Sequence, residues 1–267
     1  LGSSAALLVP SALWARPHPV LGANDSIRVG LIGCNGMGFS NLSAFMSLPD
    51  VEVAALCDVD ERVLDRREAE LLEAGLKKPA RYRDYRKLLD QQDIDMVIIG
   101  TPDHWHCLQL VHALQAGKDV YCEKPLTRTV FEARVMRETA ARQKVVTQMG
   151  NQGQAGEAAR MVCELIWDGA IGTVREIHSW SNRQPDISPR GIPRPADTPP
   201  VPTHLDWNLW LGAAPVRSYH PIYCPRAWRG WFDFGTSAMG DMAVHNMDPA
   251  FYALDLDAPI AAEAKTS

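Results

Sequence analysis

The chain has no run of like charges, no paired Cys-x-x-Cys spacing, no internal repeat and no apolar run long enough to cross a bilayer. Each absence removes a class of function. Without a basic stripe, and with a formal net charge of -5, nothing draws the chain to a phosphodiester backbone, so nucleic acid is not an expected partner. Without paired cysteines a structural zinc site lacks its usual ligands. Six cysteines are present, but Cys34, Cys57, Cys107 and Cys122 fall in segments patterned like a core, where a thiol serves as a small buried hydrophobe. The small, nearly uncharged residues of 1–15 form a stretch of about 10–14 apolar positions, too short for a membrane span. They read as the end of an export signal, with Leu13-Trp14-Ala15-Arg16 near its cleavage region. The expectation is a remnant of signal and linker over 1–25 whose upstream part is lacking, an exported, periplasmic protein (cytoplasmic if the segment is not a signal), and no stable membrane insertion.

What is present is a repeated alternation. At 267 residues there is room for two units. From Ser26 onward, short β-branched runs at 27–32, 51–57, 96–99, 119–122 and 145–148 alternate with longer stretches of helical spacing at 40–48, 61–74, 104–116 and 130–142. That alternation predicts βαβ units and a doubly wound parallel sheet over 26–149. After Gly150 the pattern changes to a helix at 155–167, a strand at 174–180, a proline-rich loop at 185–202 and a helix at 236–254. Residues 150–267 are therefore expected to form an incomplete α+β unit.

The strongest local motif is Gly33-Cys34-Asn35-Gly36-Met37-Gly38, between a strand and a helix. There a phosphate meets a helix N-terminus and unhindered backbone amides. Asn35 stands where the fingerprint has its middle glycine, and Asn tolerates a left-handed backbone. Asp58 ends the second strand, placed to accept hydrogen bonds from ribose hydroxyls and to repel a 2′-phosphate, which favours NAD over NADP. Arg62 leaves NADP as the lesser option, and a helix-capping role for Asp58 is compatible with either.

Gly100-Thr101-Pro102-Asp103-His104-Trp105-His106 and Tyr121-Cys122-Glu123-Lys124-Pro125 follow two further strands, at the sheet edge where ligands bind. Asp103, His104 and His106 lack the spacing of a metal motif, and no metal is expected. Further on, Asp241 and His245 are four apart on one helical face and Asp248 follows three later, a pattern that suits an oriented general base. The neighbouring Trp228-Arg229-Gly230-Trp231-Phe232-Asp233-Phe234-Gly235 reads as an aromatic and cationic wall for a sugar.

Together these blocks resemble the glucose-fructose oxidoreductase, inositol dehydrogenase and MocA family, from about Ile27 to about Leu254. The resemblance implies a Rossmann domain that binds NAD and part of an α+β substrate domain. It implies a catalytic group of Lys124, Asp241 and His245, with Asp241 holding the imidazole. Gly33, Asn35, Gly36, Met37, Gly38, Asp58, Thr101, Pro102, His106, Glu123 and Lys124 would contact the cofactor. Trp228, Arg229 and Asp248 would face a carbohydrate or polyol substrate. Members usually finish with a large open sheet that builds a homo-oligomer, and this chain is expected to be C-terminally truncated before most of it. The expected activity is hydride transfer between a hydroxyl-bearing carbon of a sugar, polyol or glycoside and the nicotinamide. The alternatives are an NAD-recycling glycosidase acting by transient oxidation and elimination, and a non-catalytic protein that binds NAD or sugar.

Overall fold

The computed structural model describes residues 26–182, 189 and 191–265. The export remnant expected at 1–25 lies outside them, as does part of the proline-rich loop. The N-terminal unit runs β1 (Ile27–Ile32), α1 (Gly36–Phe45), β2 (Val51–Cys57), α2 (Glu61–Glu73), β3 (Ala80–Tyr82), α3 (Tyr85–Leu89), β4 (Met96–Ile99), α4 (Asp103–Gln115), β5 (Asp119–Glu123), α5 (Val130–Gln143) and β6 (Thr147–Gly150). All six strands are parallel, in the order β3-β2-β1-β4-β5-β6.

This doubly wound sheet follows from strands that are apolar on both faces. Successive residues of a strand point to opposite sides. Val97 and Ile99 of β4 pack into one core with Leu110 and Leu114 of α4, while Ile98 packs into the other with Leu42 of α1 and Leu64 of α2. A strand buried on both sides needs helices on both faces. The chain reverses its direction of winding between β1 and β4, so the connections at their carboxyl ends diverge and leave a crevice.

Several expectations need correction. The short β3 and α3 were not anticipated, and β6 lies two residues later than 145–148 because its ladder pairs Thr147 with Val120 and Gly150 with Glu123. Helix α1 begins at Gly36, not residue 40. The helix expected from 155 resolves into a 3-10 turn (Gln152–Ala155) and α6 (Glu157–Trp167), separated by the extended Gly156. Residues 174–180 are irregular, with Trp180 80% exposed, because no strand among the described residues lies beside them to complete a ladder. The single helix expected at 236–254 is two, α8 (Ser237–Asn246) and α9 (Asp248–Leu254), with Pro249 in the first turn of α9. Proline lacks the N–H that would continue the preceding turn and is tolerated where a helix starts.

Residues 204–235 form an aromatic module around α7 (Trp207–Leu211), with Trp207 and Trp210 stacked at 4.8 Å between ring centroids. Trp210, Tyr223, Trp228, Trp231 and Phe234 are all buried in its core. The module docks on the carboxyl edge of the sheet. Glu61 N–H donates to the His204 carbonyl at 3.0 Å and Asp206 N–H to that of Val59 at 2.9 Å, while Trp105 Nε1 donates to the Trp210 carbonyl at 2.9 Å. No helix among the described residues is long and apolar enough to cross a membrane.

Candidate active site

At the carboxyl end of β1 the chain must turn tightly enough for a helix to start against the sheet, and glycine makes this possible. Gly33 has φ +85° and Gly36 φ +45°, the region that side chains avoid. A Cβ on Gly38 would lie 2.0 Å from the Gly33 carbonyl oxygen, and one on Gly33 2.7 Å from the Gly100 carbonyl carbon. A Cβ on Gly36 would meet nothing within 4 Å. The loop is thus packed hard on its inner side and open on its outer side, at the N-terminus of α1.

Asn35 is not left-handed. Its φ of -100° and ψ of 166° are extended, so the left-handed positions fall on its glycine neighbours. Its side-chain oxygen accepts from Arg66 Nη2 at 2.9 Å, and Arg67 Nε donates to the Cys34 carbonyl at 3.0 Å. Two arginines of α2 therefore brace the loop. Met37, in the first turn of α1, is exposed.

Asp58 joins this loop to β2. Its carboxylate accepts from Cys34 N–H at 2.8 Å and from Asp60 N–H at 3.0 Å. Burial pushes its pKa up to about 6, with the neighbouring Asp60 charge acting in the same direction and the N–H groups of Asp60 and Cys34 holding it down. The capping role considered for Asp58 belongs to Asp60, whose side chain accepts from Arg62 N–H. Arg62 also pairs with the Asp60 carboxylate at 3.3 Å.

Thr101, Pro102 and Asp103 lead into α4. Thr101 Oγ1 donates to Gln109 Oε1 at 2.7 Å. The Asp103 carboxylate accepts from Thr236 Oγ1 at 3.0 Å, and burial raises its pKa. His106, expected to line the cofactor cleft, is buried with its two ring nitrogens each 2.8 Å from a backbone carbonyl, of Pro125 and Thr101. It ties those two segments together. His104 is likewise held between the carbonyls of Trp210 and Phe234, and burial lowers its pKa to about 4. The side chains of Asp103, His104 and His106 thus turn to different partners.

The β5/β6 register sets which strand ends lie together at this edge. Glu123 pairs with Gly150, so Lys124 and Asn151 follow side by side at the ends of adjacent strands. Glu123 is buried and accepts from Asn41 Nδ2 at 2.8 Å, tying β5 to α1. Lys124 Nζ donates to Asp241 Oδ1 at 2.8 Å and to the Asp241 carbonyl at 3.1 Å. Arg229 Nε lies 3.7 Å from the same Asp241 oxygen, so two cations converge on one buried carboxylate.

One helical turn along α8, His245 Nδ1 lies 3.0 Å from Asn151 Oδ1. Asp241, the expected orienting partner, accepts a hydrogen bond from Lys124, and Asn151 meets Nδ1 of the imidazole. Sequence reading missed Asn151 because it ended β6 two residues early and left the strand end unplaced. The amide nitrogen of Asn151 also donates to the Val244 carbonyl at 3.2 Å and to Asp248 Oδ2 at 3.4 Å.

The expected sugar-stacking wall needs correction. Trp228 is 7% exposed inside the aromatic module, with the Arg229 guanidinium 4.2 Å from its ring centroid. Aromatic residues spaced along an irregular segment pack inward because their apolar area stabilises the module's own core. Of the expected wall only the Phe232 ring is exposed. Asp248 lines an open cleft of about 510 Å³ with Trp167, Phe251, Tyr252 and Asp255.

The comparisons with known proteins agree with this fold. Residues 27–151 match the model described as "Oxidoreductase family, NAD-binding Rossmann fold", and 194–267 match that family's "C-terminal alpha/beta domain". Proteins named "Glycosyl hydrolase family 109 protein" from Shewanella pealeana and Shewanella baltica are each 36% identical over 152 residues, covering 55% of this chain and 33% of theirs. The chain thus spans about a third of the length of the curated relatives it matches. Among solved structures, a 3-ketoreductase from Actinomadura kijaniata, in complex with TDP-benzene and NADP, aligns with a TM-score of 0.51 and 27% identity, over 57% of this chain and 45% of that one. Scyllo-inositol dehydrogenase from Lactobacillus casei aligns at 0.50 and 25%, over 55% and 43%. The two family matches together cover well over half of the chain, which belongs to the Gfo/Idh/MocA oxidoreductase family.

Proposed function

We propose that the protein is an NAD-dependent oxidoreductase acting on a hydroxyl-bearing carbon of a sugar, polyol or glycoside. The observation that carries this reading is the meeting of Lys124 with Asp241 beside Asn151 and His245, at the same sheet edge as the open glycine loop. The donor set suits a dinucleotide. Backbone amides at a helix start offer sites for the pyrophosphate, and a carboxylate at the end of β2 offers acceptors for the ribose. Asp58 disfavours a 2′-phosphate, and the Arg62 charge is engaged by Asp60, so NAD is preferred to NADP.

When bound, the nicotinamide accepts or returns hydride. The protein's own groups do the remaining work. Lys124 hydrogen-bonds the substrate oxygen and stabilises negative charge as it develops there. Its own position is fixed by Asp241. His245 accepts the hydroxyl proton, which a general base does with greatest effect when its geometry is fixed in advance. The cleft beside Asp248 offers aromatic faces and carboxylates, which suit a polyhydroxylated ring.

A second reading is favoured by the names of the Shewanella relatives. In that reading transient oxidation would acidify the carbon beside the ketone, elimination would release the aglycone, water would add to the resulting double bond, and return of the hydride to the ketone would leave no net oxidation. One experiment separates them: supply NAD with a panel of sugars, polyols and nitrophenyl glycosides, and follow reduced nicotinamide and released aglycone together. Stoichiometric NADH supports net oxidation, and aglycone release without NADH supports cleavage. Neither product from any substrate, with cofactor bound, contradicts both and leaves a binding protein.

A further inference from the structure

We propose that Asn151 sets the tautomer of His245, and that Asp248 sets Asn151, so that the three form a relay. The orientation of the amide is decided by its far end. Its nitrogen faces two oxygens, the Val244 carbonyl at 3.2 Å and Asp248 Oδ2 at 3.4 Å. Turning the amide over would set its oxygen against both of them and leave a donor facing His245. Oδ1 therefore presents to His245 Nδ1 at 3.0 Å, and a carbonyl oxygen only accepts. The proton must sit on Nδ1, leaving the Nε2 lone pair as the basic site. A free imidazole side chain favours the opposite form, so the neighbouring amide imposes the one needed.

The side-chain type at 151 matters for the same reason. A carboxylate there would orient the ring but would face Asp248 Oδ2 across 3.4 Å, and like charges that close oppose one another. The amide carries the orientation from an acid to the ring while adding no charge. Asp241 remains available to fix Lys124. The two reactive groups are thus positioned separately, Lys124 from α8 and His245 from the end of β6.

The kinetic consequence rests on the proposed role of His245 as proton acceptor, whereas the tautomer is a property of the resting protein and can be read without turnover. Nitrogen-15 correlation spectra of histidine-labelled protein at alkaline pH, with His245 assigned by its loss in H245Q, report which nitrogen carries the proton. The expected result is Nδ1–H in the wild type and a shift toward Nε2–H in N151L. Turnover in N151L should then fall by about 10²–10⁴-fold, the range set by loss of general-base action and by wrong-tautomer variants of other enzymes, with NAD affinity unchanged. A wild-type ring protonated on Nε2 would overturn the proposal, and so would an unchanged tautomer in folded N151L. If N151L does not fold, the wild-type spectrum alone decides. Full turnover in H245Q would instead count against the proposed function, leaving the tautomer result to stand by itself.

Discussion

Lys124 Nζ lies 2.8 Å from Asp241 Oδ1 across 117 residues of sequence. This contact joins the end of β5 to α8 of the following unit. With side chains 13% and 4% exposed, the pair is shielded from the screening that weakens surface ion pairs. Replacing Lys124 with Met should lower turnover by about 10²–10³-fold, as removal of a preorganised hydrogen-bond donor does. Cofactor affinity should change far less. A variant with wild-type turnover would remove Lys124 from the chemistry.

His245 should behave differently from Lys124. H245A is expected to lose about 10²–10⁴-fold in kcat and to bind NAD as the wild type does, because the residue lies on α8, away from the glycine loop and Asp58. Stopped-flow measurement of hydride transfer would place the loss in the chemical step. A change confined to NAD affinity would contradict that assignment.

The pH dependence of cofactor binding should follow Asp58, whose pKa is raised to about 6 by burial. Ribose hydroxyls donate to the ionised carboxylate, so protonation removes the acceptor and affinity falls as pH drops through that value. Below it the Kd should rise by up to about tenfold per pH unit, the limit for one linked proton. D58N should bind more weakly at neutral pH and show no such inflection. Calorimetric titrations from pH 5 to pH 8 in both proteins test this, and parallel profiles would count against it.

Much of this was legible in the sequence because the relevant signals are local. The apolar runs of β1, β2 and β4 end where strands end, and two of the three loop glycines, Gly33 and Gly36, fall where φ is positive. β3 was not legible, since Ala80-Arg81-Tyr82 is too short for a two-residue periodicity to show and takes its strand form from pairing with β2. Trp228 was misassigned because composition cannot say whether a ring turns toward a ligand or into a core. Asn151 was missed for a related reason. Its role depends on the β5/β6 register and on a helix nearly a hundred residues away, neither of which leaves a mark near position 151.

His104 gives a stability prediction. Its pKa is lowered from 6.5 to about 4, chiefly by burial. A lowered folded-state pKa means that stability is present in full above pH 6.5 and declines as pH falls toward 4, by about 3 kcal/mol in all. Asp58 acts in the opposite sense: its raised pKa gives a contribution present at low pH and lost as pH rises through about 6. The His104 effect is therefore read as a difference. H104Q should be less stable than wild type at pH 7.5, and denaturant titrations should show that gap shrinking toward pH 4. A gap independent of pH would mean that the ring does not resist protonation.

The central claim is a dinucleotide site at the glycine loop and Asp58 that serves Lys124 and His245. Isothermal titration of NAD into the protein and into G38V tests it most directly. A Cβ at residue 38 would meet the Gly33 carbonyl at 2.0 Å and displace the loop, while Lys124, Asp241 and His245 remain in the sequence. The account predicts saturable binding of one NAD per chain in the wild type, weaker binding of NADP, and none in folded G38V. An absence of NAD and NADP binding in the wild type, or unchanged binding in G38V, would contradict it.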